Sequence, residues 1–359
     1  MVKVLQLKLF NDNDYRQHKK YLNGFLKSKD EITQIAAAEG RTKIYKVLSF
    51  GGGTQSSHLL EEHFLGKIDY DYIVFSDTGA EPMFIHEQVA WWQQRQKEVG
   101  NTTPFIVTTH NSMKRGLEEM LMRYIHTDYQ RFQMPLYFKK VDQETGELKN
   151  GGLMPRQCTG DFKITPAHQA VRNHIKRELG LNPRQKMPKD IAIIMDIGFS
   201  YDELNRVSGY MAYKSNYIYL AYPLIESGES TQDSIDFLEQ NNFPCRRSRC
   251  YFCPFNCSGE RARDIGMDWM EIIESEPLSF LKACYFDSEL RKVQATGTKN
   301  MQSIPYFHFS RNPLIEVYSA HYISLMEQYH KEFNEWLKEW DTFLKVKYGL
   351  ISYKEKLIV

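Results

Sequence analysis

Short apolar runs alternate with longer amphipathic segments from residue 45 onwards. Amphipathic segments that predict helices occupy residues 56–65, 82–98, 112–124 and 165–179. Apolar runs that predict β-strands occupy residues 45–50, 70–77, 103–109, 191–198 and 216–224. This alternation predicts an α/β fold, in which a parallel twisted sheet carries helices on both faces. Such sheets bind ligands at the carboxyl ends of their strands.

The chain on either side of this pattern predicts other structure. Residues 12–40 have helical spacing, and residues 317–347 predict a long aromatic-rich helix. Residues 128–155 lack periodicity and contain many turn residues, so we expect a hairpin or a lid there. The predicted regions are a helical N-terminal extension at 1–43, an α/β domain at 44–244, and a cysteine knuckle with a helical C-terminal region at 245–359.

Composition excludes several classes of protein. Hydrophobic residues at 42% and aromatic residues at 13% favour a packed globular protein. No apolar run approaches the roughly 20 residues that a membrane helix needs, and residues 1–10 lack a secretory pattern. We therefore expect a cytoplasmic protein with no membrane partner. The net charge of +1 gives no global basic field. A nucleic acid would therefore bind local basic patches such as residues 16–29 or 245–250. The alternative is that these patches are ordinary solvent-exposed surfaces.

A glycine-rich stretch, "SFGGGTQSS" at residues 49–57, follows the first predicted strand. Glycines between a strand and a helix form phosphate-binding loops, because N–H groups at the helix start attract anions. The stretch lacks the Lys of a Walker A loop. A dinucleotide fingerprint would use Asp77 as its acidic residue, but Gln55 or Ser56 stands at its third glycine. A third type is the pyrophosphatase loop, S-G-G-x-D-S, which holds the pyrophosphate of ATP.

The loop and "VFSDTGAEP" at residues 74–82 together resemble the PP-loop ATP pyrophosphatases, within them the phosphoadenosine phosphosulfate (PAPS) reductase-like branch. In the loop, Gly51 replaces the first serine of the motif and Gln55 its aspartate. The resemblance implies an adenine nucleotide alpha hydrolase-like fold that binds ATP with Mg²⁺. With no charge at Gln55, Asp77 and Glu81 are expected to take over the magnesium role. The implied nucleotide-binding residues are Ser49, Gly51, Gly52, Gly53, Gln55, Ser56, Asp77, Thr78 and Glu81.

The segment "RQCTGDFKITP" at residues 156–166 is similar to one that carries paired cysteines, a lysine and a proline in iron–sulfur members of this branch. Cys158 matches the first cysteine of the pair, and Thr159 replaces the second. Arg156 and Lys163 are positive donors suited to a phosphate or sulfate. They are candidate catalytic residues, and surface charges without a role are the alternative.

Candidate catalytic residues also occur in "GFSYDELNRV" at residues 198–207. Asp202 and Arg206 are four residues apart, which predicts that they share one face of a helix. Related proteins carry a similar segment, so the resemblance implies that the pair faces the substrate. A charge pair at a helix start is the alternative.

The cysteine-rich stretch "CRRSRCYFCPFNC" at residues 245–257 predicts a metal site. Cys250 and Cys253 have the spacing with which two thiolates bind one metal from a single turn, and Cys257 follows closely. Cys245 as fourth ligand gives a local zinc site. Cys158 gives a site that resembles the iron–sulfur branch. We favour Cys158 with these three cysteines as ligands of a [4Fe–4S] cluster or Zn²⁺.

The resemblance implies a transferase that cleaves ATP to AMP and pyrophosphate and adenylates its substrate. By family analogy, adenylation supports sulfur transfer or a related modification of a nucleic acid or nucleobase, with tRNA or DNA as partner. A cysteine desulfurase-type sulfur donor is implied, and a homodimer is compatible. One alternative is a sulfonucleotide (PAPS) reductase, although residues 343–359 lack the expected tail cysteine. Gln55 favours another, a nucleotide sensor or binding subunit without turnover.

Overall fold

The computed structural model describes residues 24–142, 144–256 and 268–349. Cys257 and residues 12–23 of the predicted N-terminal helix lie outside this part of the chain. The chain divides into two compact units. The first unit comprises Met1–Phe75, Glu87–Val107 and Ala167–Arg246, and the second comprises Ser76–His86, Thr108–Pro166 and Arg247–Val359.

Helices and strands are numbered along the chain. The strands are β1 (Lys43–Ser49), β2 (Tyr72–Asp77), β3 (Phe105–Thr109), β4 (Tyr137–Val141), β5 (Leu148–Leu153), β6 (Ile191–Ile197), β7 (Ile218–Ala221) and β8 (Ile304–Tyr306). The α-helices are α1 (Lys29–Ala38), α2 (Thr54–Phe64), α3 (Met83–Glu98), α4 (Gly116–His126), α5 (Thr165–Glu178), α6 (Pro223–Ser227), α7 (Thr231–Gln240), α8 (Trp269–Ser275), α9 (Pro277–Ala295), α10 (Leu314–Val317) and α11 (Ser319–Tyr348).

A five-stranded parallel sheet in the order β3-β2-β1-β6-β7 forms the centre of the first unit. Strand β6 is apolar except at Asp196, because both of its faces are covered, and the buried Asp196 carboxylate accepts from Lys29 Nζ at 2.6 Å and the Tyr70 hydroxyl at 2.8 Å. Ile193 and Met195 pack in one core cluster with Val171 of α5. Ala192 and Ile194 pack in another, with Ile32 and Ala36 of α1. The predicted α/β fold with a helix-covered parallel sheet is therefore confirmed.

All five predicted strands and the four predicted helices between them are present, with shifted ends. The largest shift affects the helix expected at 112–124, which begins at Gly116. The His110 ring accepts hydrogen bonds from the N–H groups of Ser112 at 3.3 Å and Met113 at 3.1 Å. These bonds form a turn before the helix, and a side-chain acceptor of this kind competes with helical hydrogen bonding.

The second unit contains the predicted hairpin and the predicted aromatic-rich helix. Strands β4 and β5 pair antiparallel, and β8 adds a third strand beside β4. On α11, Phe333, Trp336 and Trp340 are buried. The Nε1 groups of Trp336 and Trp340 donate to Glu118 Oε2 at 3.4 and 3.2 Å, so the polar groups of both buried indole rings have hydrogen-bond partners.

Residues 247–256, which begin the cysteine-rich part of the second unit, form turns without a helix or strand. Within the described ranges, no helix is both long enough and apolar enough to cross a membrane.

Candidate functional site

The glycine-rich loop of the first unit joins β1 to α2. Ser49 is the last residue of β1 and is half-buried between Val74 of β2 and Ile197 of β6. Gly52 has a φ of 71°, a left-handed conformation that glycine adopts without strain. The N-cap of α2 is Gly53, which makes no side-chain cap, and the first turn carries no acidic residue. The N–H groups of this turn and the positive helix end are therefore left for another acceptor.

The Ser56 hydroxyl holds the two ends of the glycine run together. Its Oγ accepts from the Gly51 N–H at 3.1 Å and donates to the Gly53 carbonyl at 2.9 Å. The Gln88 amide of α3 donates to the Gly52 carbonyl at 2.7 Å. Since protein donors occupy the Gly52 and Gly53 carbonyls, the loop has a fixed shape.

Gln55 stands where the motif has an aspartate, and its amide contacts a carboxylate. Gln55 Nε2 donates to Glu203 Oε2 at 3.1 Å and to Thr231 Oγ1 at 3.3 Å. Glu203 Oε1 accepts from Arg206 Nη1 at 2.5 Å. A carboxylate, paired with Arg206, is thus present at position 203 beside the first turn of α2.

The expected pairing of Asp202 with Arg206 on one helix face is wrong. Tyr201–Arg206 forms a short 3-10 helix, in which residues three apart lie above one another, so Arg206 pairs with Glu203. Asp202 instead accepts from the N–H and the hydroxyl of Thr231, each at 2.8 Å. Burial alone would raise the pKa of Asp202, but the hydrogen bonds from Thr231 outweigh it, and the pKa is lowered.

Cys245, one candidate for the fourth metal ligand, lies in the first unit. Its Sγ is 3.8 Å from Thr54 Oγ1, at the first residue of α2. Burial raises the pKa of Cys245, while the hydrogen bond with Thr54 lowers it, and the net shift is upward. The thiol therefore stays protonated at neutral pH.

In the second unit, the carboxylate of Glu81 is fully buried and surrounded by donors. Lys163 Nζ lies 3.0 Å from it, Thr78 Oγ1 3.2 Å and Ser248 Oγ 3.3 Å. Burial would lower the pKa of Lys163, but the charge of Glu81 outweighs it and the pKa is raised. Lys163 is therefore cationic and, with its side chain 32% exposed, can meet an anion from solvent. Asp77 Oδ1 accepts from the Gly79 N–H at 2.7 Å.

Two glycines let the segment after β2 pass close to the start of α4. Gly79 has a φ of 66°, and a Cβ there would lie 2.4 Å from the Arg115 carbonyl oxygen. Gly116 has a φ of 61°, and its Cβ would lie 1.9 Å from the Thr78 carbonyl oxygen. The Thr78 carbonyl accepts from the Leu117 N–H at 2.7 Å. The glycine of the "SDTGAEP" motif is therefore required by this backbone approach.

Three predicted metal ligands lie in the second unit. Cys158 caps the π-helix Thr159–Ile164, a rare element that is frequent at functional sites. The N–H of Cys253 donates to the Cys250 carbonyl at 3.0 Å. Burial raises the pKa of both Cys250 and Cys253, and Cys158 lies near enough to raise each further. The positive charge of Arg156 acts in the opposite direction and lowers the pKa of Cys253. The Arg156 guanidinium also lies 5.4 Å from the centroid of the Phe255 ring.

These thiols alone do not complete a metal site. In residues 24–142, 144–256 and 268–349, no group of three or more His, Cys, Asp or Glu side chains is arranged to hold a metal ion. The remaining predicted ligand, Cys257, lies outside these ranges. Structural zinc and iron–sulfur sites have four protein ligands as a rule, so the metal centre stays a prediction.

Sequence reasoning did not identify Gln88 and Thr231 as neighbours of the loop. Thr231 follows the capping box of α7, formed by Ser230 and Asp233. The pattern S-x-x-D predicts that helix start, although it does not reveal which loop the helix approaches. Gln88 lies inside α3 and has no local signal.

In the comparisons with known proteins, no protein-family model matches this chain, and no curated protein matches it in sequence.

Proposed function

We propose that the protein binds ATP at the loop of residues 49–57 and cleaves it between the α- and β-phosphates. The observation that carries the proposal is the bridge from Ser56 Oγ to the Gly51 N–H and the Gly53 carbonyl. It fixes a glycine run directly before a helix whose first turn has no side-chain cap. Fixed N–H groups at a helix start are suited to a phosphate chain.

The reaction is an adenylation. An oxygen of the second substrate attacks the α-phosphorus and forms a new P–O bond. The bond from the α-phosphorus to the bridging oxygen breaks, and pyrophosphate leaves with the electron pair. N–H groups of Gly52, Gly53 and the first turn of α2 donate to the charge that develops on the leaving group. A donor of this kind typically contributes a factor of about 10²–10³ to kcat.

Glu203 is the residue that we assign to Mg²⁺. Mg²⁺ prefers hard oxygen ligands, and in phosphate sites one or two carboxylates suffice beside the phosphate oxygens. Glu203 Oε2, 3.1 Å from Gln55 Nε2, supplies such a carboxylate next to the loop. The ion would neutralise charge on the phosphates. The nucleotide contacts that the resemblance gives to Asp77, Thr78 and Glu81 stay predictions.

The resemblance supports sulfur transfer or a related modification of tRNA or DNA as the purpose of adenylation. An adenylated oxygen is a good leaving group, so a sulfur or nitrogen nucleophile can displace AMP from it. This step is part of the proposal by family analogy, and the acceptor assay below tests it.

The experiment is product analysis of α-labelled ATP with Mg²⁺, alone and with bulk tRNA or bulk DNA. Ser56→Ala removes the two loop hydrogen bonds. At about 0.5–1.5 kcal/mol each, their loss from the transition state lowers turnover roughly 5- to 150-fold. We expect AMP and pyrophosphate as products, at a rate that one nucleic acid raises.

Ser227→Ala is the matched control, at the end of α6 and outside the loop. The exposed Ser227 hydroxyl also makes two hydrogen bonds, to the Leu224 carbonyl at 3.2 Å and to Glu229 Oε1 at 2.8 Å. We expect this variant to keep wild-type turnover. The proposal fails if the products are ADP and phosphate, or if Ser56→Ala is as active as Ser227→Ala.

A nucleotide sensor is the second candidate, because the sequence has Gln55 at the motif's aspartate position. Tight ATP binding without cleavage under every condition above would support the sensor. A gain of turnover in Gln55→Asp would support it as well. Release of pyrophosphate by the wild-type protein would exclude it.

A further inference from the structure

A cavity of about 610 Å³ opens in the first unit at the edge where its parallel strands begin. Arg41 lines it two residues before β1, Lys189 two residues before β6, and Tyr217 directly before β7. The glycine-rich loop follows Ser49, at the opposite, carboxyl end of β1. The cavity is therefore separate from the proposed ATP site.

The cavity concentrates positive charge. Of its twelve lining residues, all described, six are Lys or Arg and none is Asp or Glu. The whole chain has 46 Lys and Arg in 359 residues and a net charge of only +1. The excess is therefore local to this surface. The six cations are Arg41, Arg172, Lys176, Arg184, Lys186 and Lys189.

Two of these cations build the walls. Arg41 donates to the backbone carbonyls of Lys189 and Asn216 at 2.5 Å each, and its Nε lies 4.0 Å from Glu39. Lys176, 4% exposed, donates to the Pro183 carbonyl at 2.8 Å. These bonds hold the segment from Pro183 to Lys189 against the ends of the strands, so the cavity has a defined shape.

The remaining cations are available to a ligand. Arg184, Lys186 and Lys189 are exposed, and their side chains make no hydrogen bond or ion pair within the described part of the chain. The buried Nε of Arg172 has no hydrogen-bond partner there. Six like charges beside a single paired carboxylate, Glu39, repel one another, and an anion relieves that repulsion.

We propose that this cavity binds the phosphodiester backbone of a nucleic acid strand. Three exposed cations within residues 184–189 suit successive phosphates better than one compact anion, which needs convergent buried donors. The half-buried ring of Tyr217 and the amides of Gln185 and Asn216 offer stacking and hydrogen bonds for a base or sugar. The inference deepens the proposed function, on which it rests for the class of partner, although binding here requires no ATP cleavage.

Fluorescence anisotropy with labelled 20-nucleotide RNA and DNA, single- and double-stranded, tests the proposal without ATP. The cavity variant combines Arg184→Gln, Lys186→Gln and Lys189→Gln. Each lost phosphate contact makes the slope of log affinity against log salt shallower by roughly 0.7–0.9. We therefore expect the slope to become shallower by about 2–3 and affinity in 0.1 M salt to drop about 100- to 500-fold. The four probes distinguish RNA from DNA as the source of the backbone.

The matched control removes three positive charges from exposed lysines outside the cavity. Their side chains also make no hydrogen bond or ion pair within the described chain. It combines Lys97→Gln, Lys331→Gln and Lys338→Gln. We expect it to bind like wild type. Equal losses in both variants, wild-type affinity in the cavity variant, or no binding of any probe by the wild-type protein would each overturn the proposal. ATP cleavage without nucleic acid is measured on the same variants, so a failure here is distinguishable from a failure of the loop.

Discussion

The end of strand β6 approaches the proposed phosphate loop so closely that one added carbon tests the site. Gly198 follows β6 directly. In Gly198→Ala the new Cβ would lie 2.9 Å from Ser56 N, 3.1 Å from Ser56 Cα and 3.2 Å from Gln55 C. All three atoms are backbone, so no side-chain rotation relieves the overlap. The first turn of α2 or the end of β6 has to move.

The required movement follows from these distances. Non-bonded heavy atoms separate to about 3.5 Å, so the closest pair moves apart by roughly 0.6 Å. Overpacking of a closely packed interior costs about 1–3 kcal/mol. A misplacement of about 1 Å lowers turnover roughly 10²-fold. A displacement of about half that size at Ser56 N therefore predicts about half the loss on a logarithmic scale, which is a tenfold decrease in turnover. Affinity for ATP falls in the same direction, because the displaced N–H belongs to the proposed phosphate site.

Urea unfolding and calorimetric ATP binding separate the two effects. The control is Gly152→Ala in β5, where the new Cβ has no atom within 4 Å. We expect the control to match wild type in both measurements. If Gly198→Ala loses stability but keeps its ATP affinity and turnover, the expected tenfold loss is refuted, and either β6 alone moves or the first turn of α2 is not the phosphate site. If it loses neither, the packing argument itself is wrong.

Two further predictions concern the cysteines and a buried histidine. In anaerobically purified protein, Cys158→Ser loses the bound metal and Cys245→Ser keeps it, as measured by elemental analysis; the reverse result makes Cys245 the fourth ligand. His308 is 2% exposed, and burial lowers its pKa to about 4. Protonation of the buried ring is therefore less favourable in the native state than in the unfolded chain. The free energy of unfolding is highest above the unfolded pKa of about 6.5 and falls by about 3 kcal/mol as pH falls towards 4. Urea unfolding at pH 7.5, 6 and 5 should show a shallower loss in His308→Asn, and an unchanged pH dependence would contradict this reasoning.

The sheet could be predicted from the sequence because its strands are covered on both faces. The run "IAIIMDIG" is apolar except at Asp196 for that reason, and β6 occupies most of it. The turn at Asp202 could not be predicted in the same way. A spacing of four residues places two side chains on one face only in an α-helix, and Tyr201–Arg206 is a 3-10 helix. The Asp202 carboxylate instead accepts from the N–H of Thr231, 29 residues further along the chain. Long-range hydrogen bonds of this kind leave no periodic signal.

The basic cavity was missed for a related reason. A search for charge runs finds cations that are neighbours in sequence, such as those at 16–29 and 245–250. The cavity collects Arg41, Arg172 and the segment 184–189 because parallel strands start at one edge of the sheet. Connections between parallel strands return the chain to that edge each time. A charged surface there is a property of the topology and not of any local stretch.

The same long-range effect changes the meaning of Gln55. In the sequence, an amide in place of the motif's aspartate indicates a lost charge and favours a sensor. In the structure, that amide donates to Glu203 Oε2, 148 residues away, so a carboxylate is still present beside the loop. An aspartate at position 55 would face Glu203 as a second carboxylate. Gln55 and Glu203 together therefore place one carboxylate beside the loop, and that carboxylate is also paired with Arg206. The amide alone is no argument against turnover.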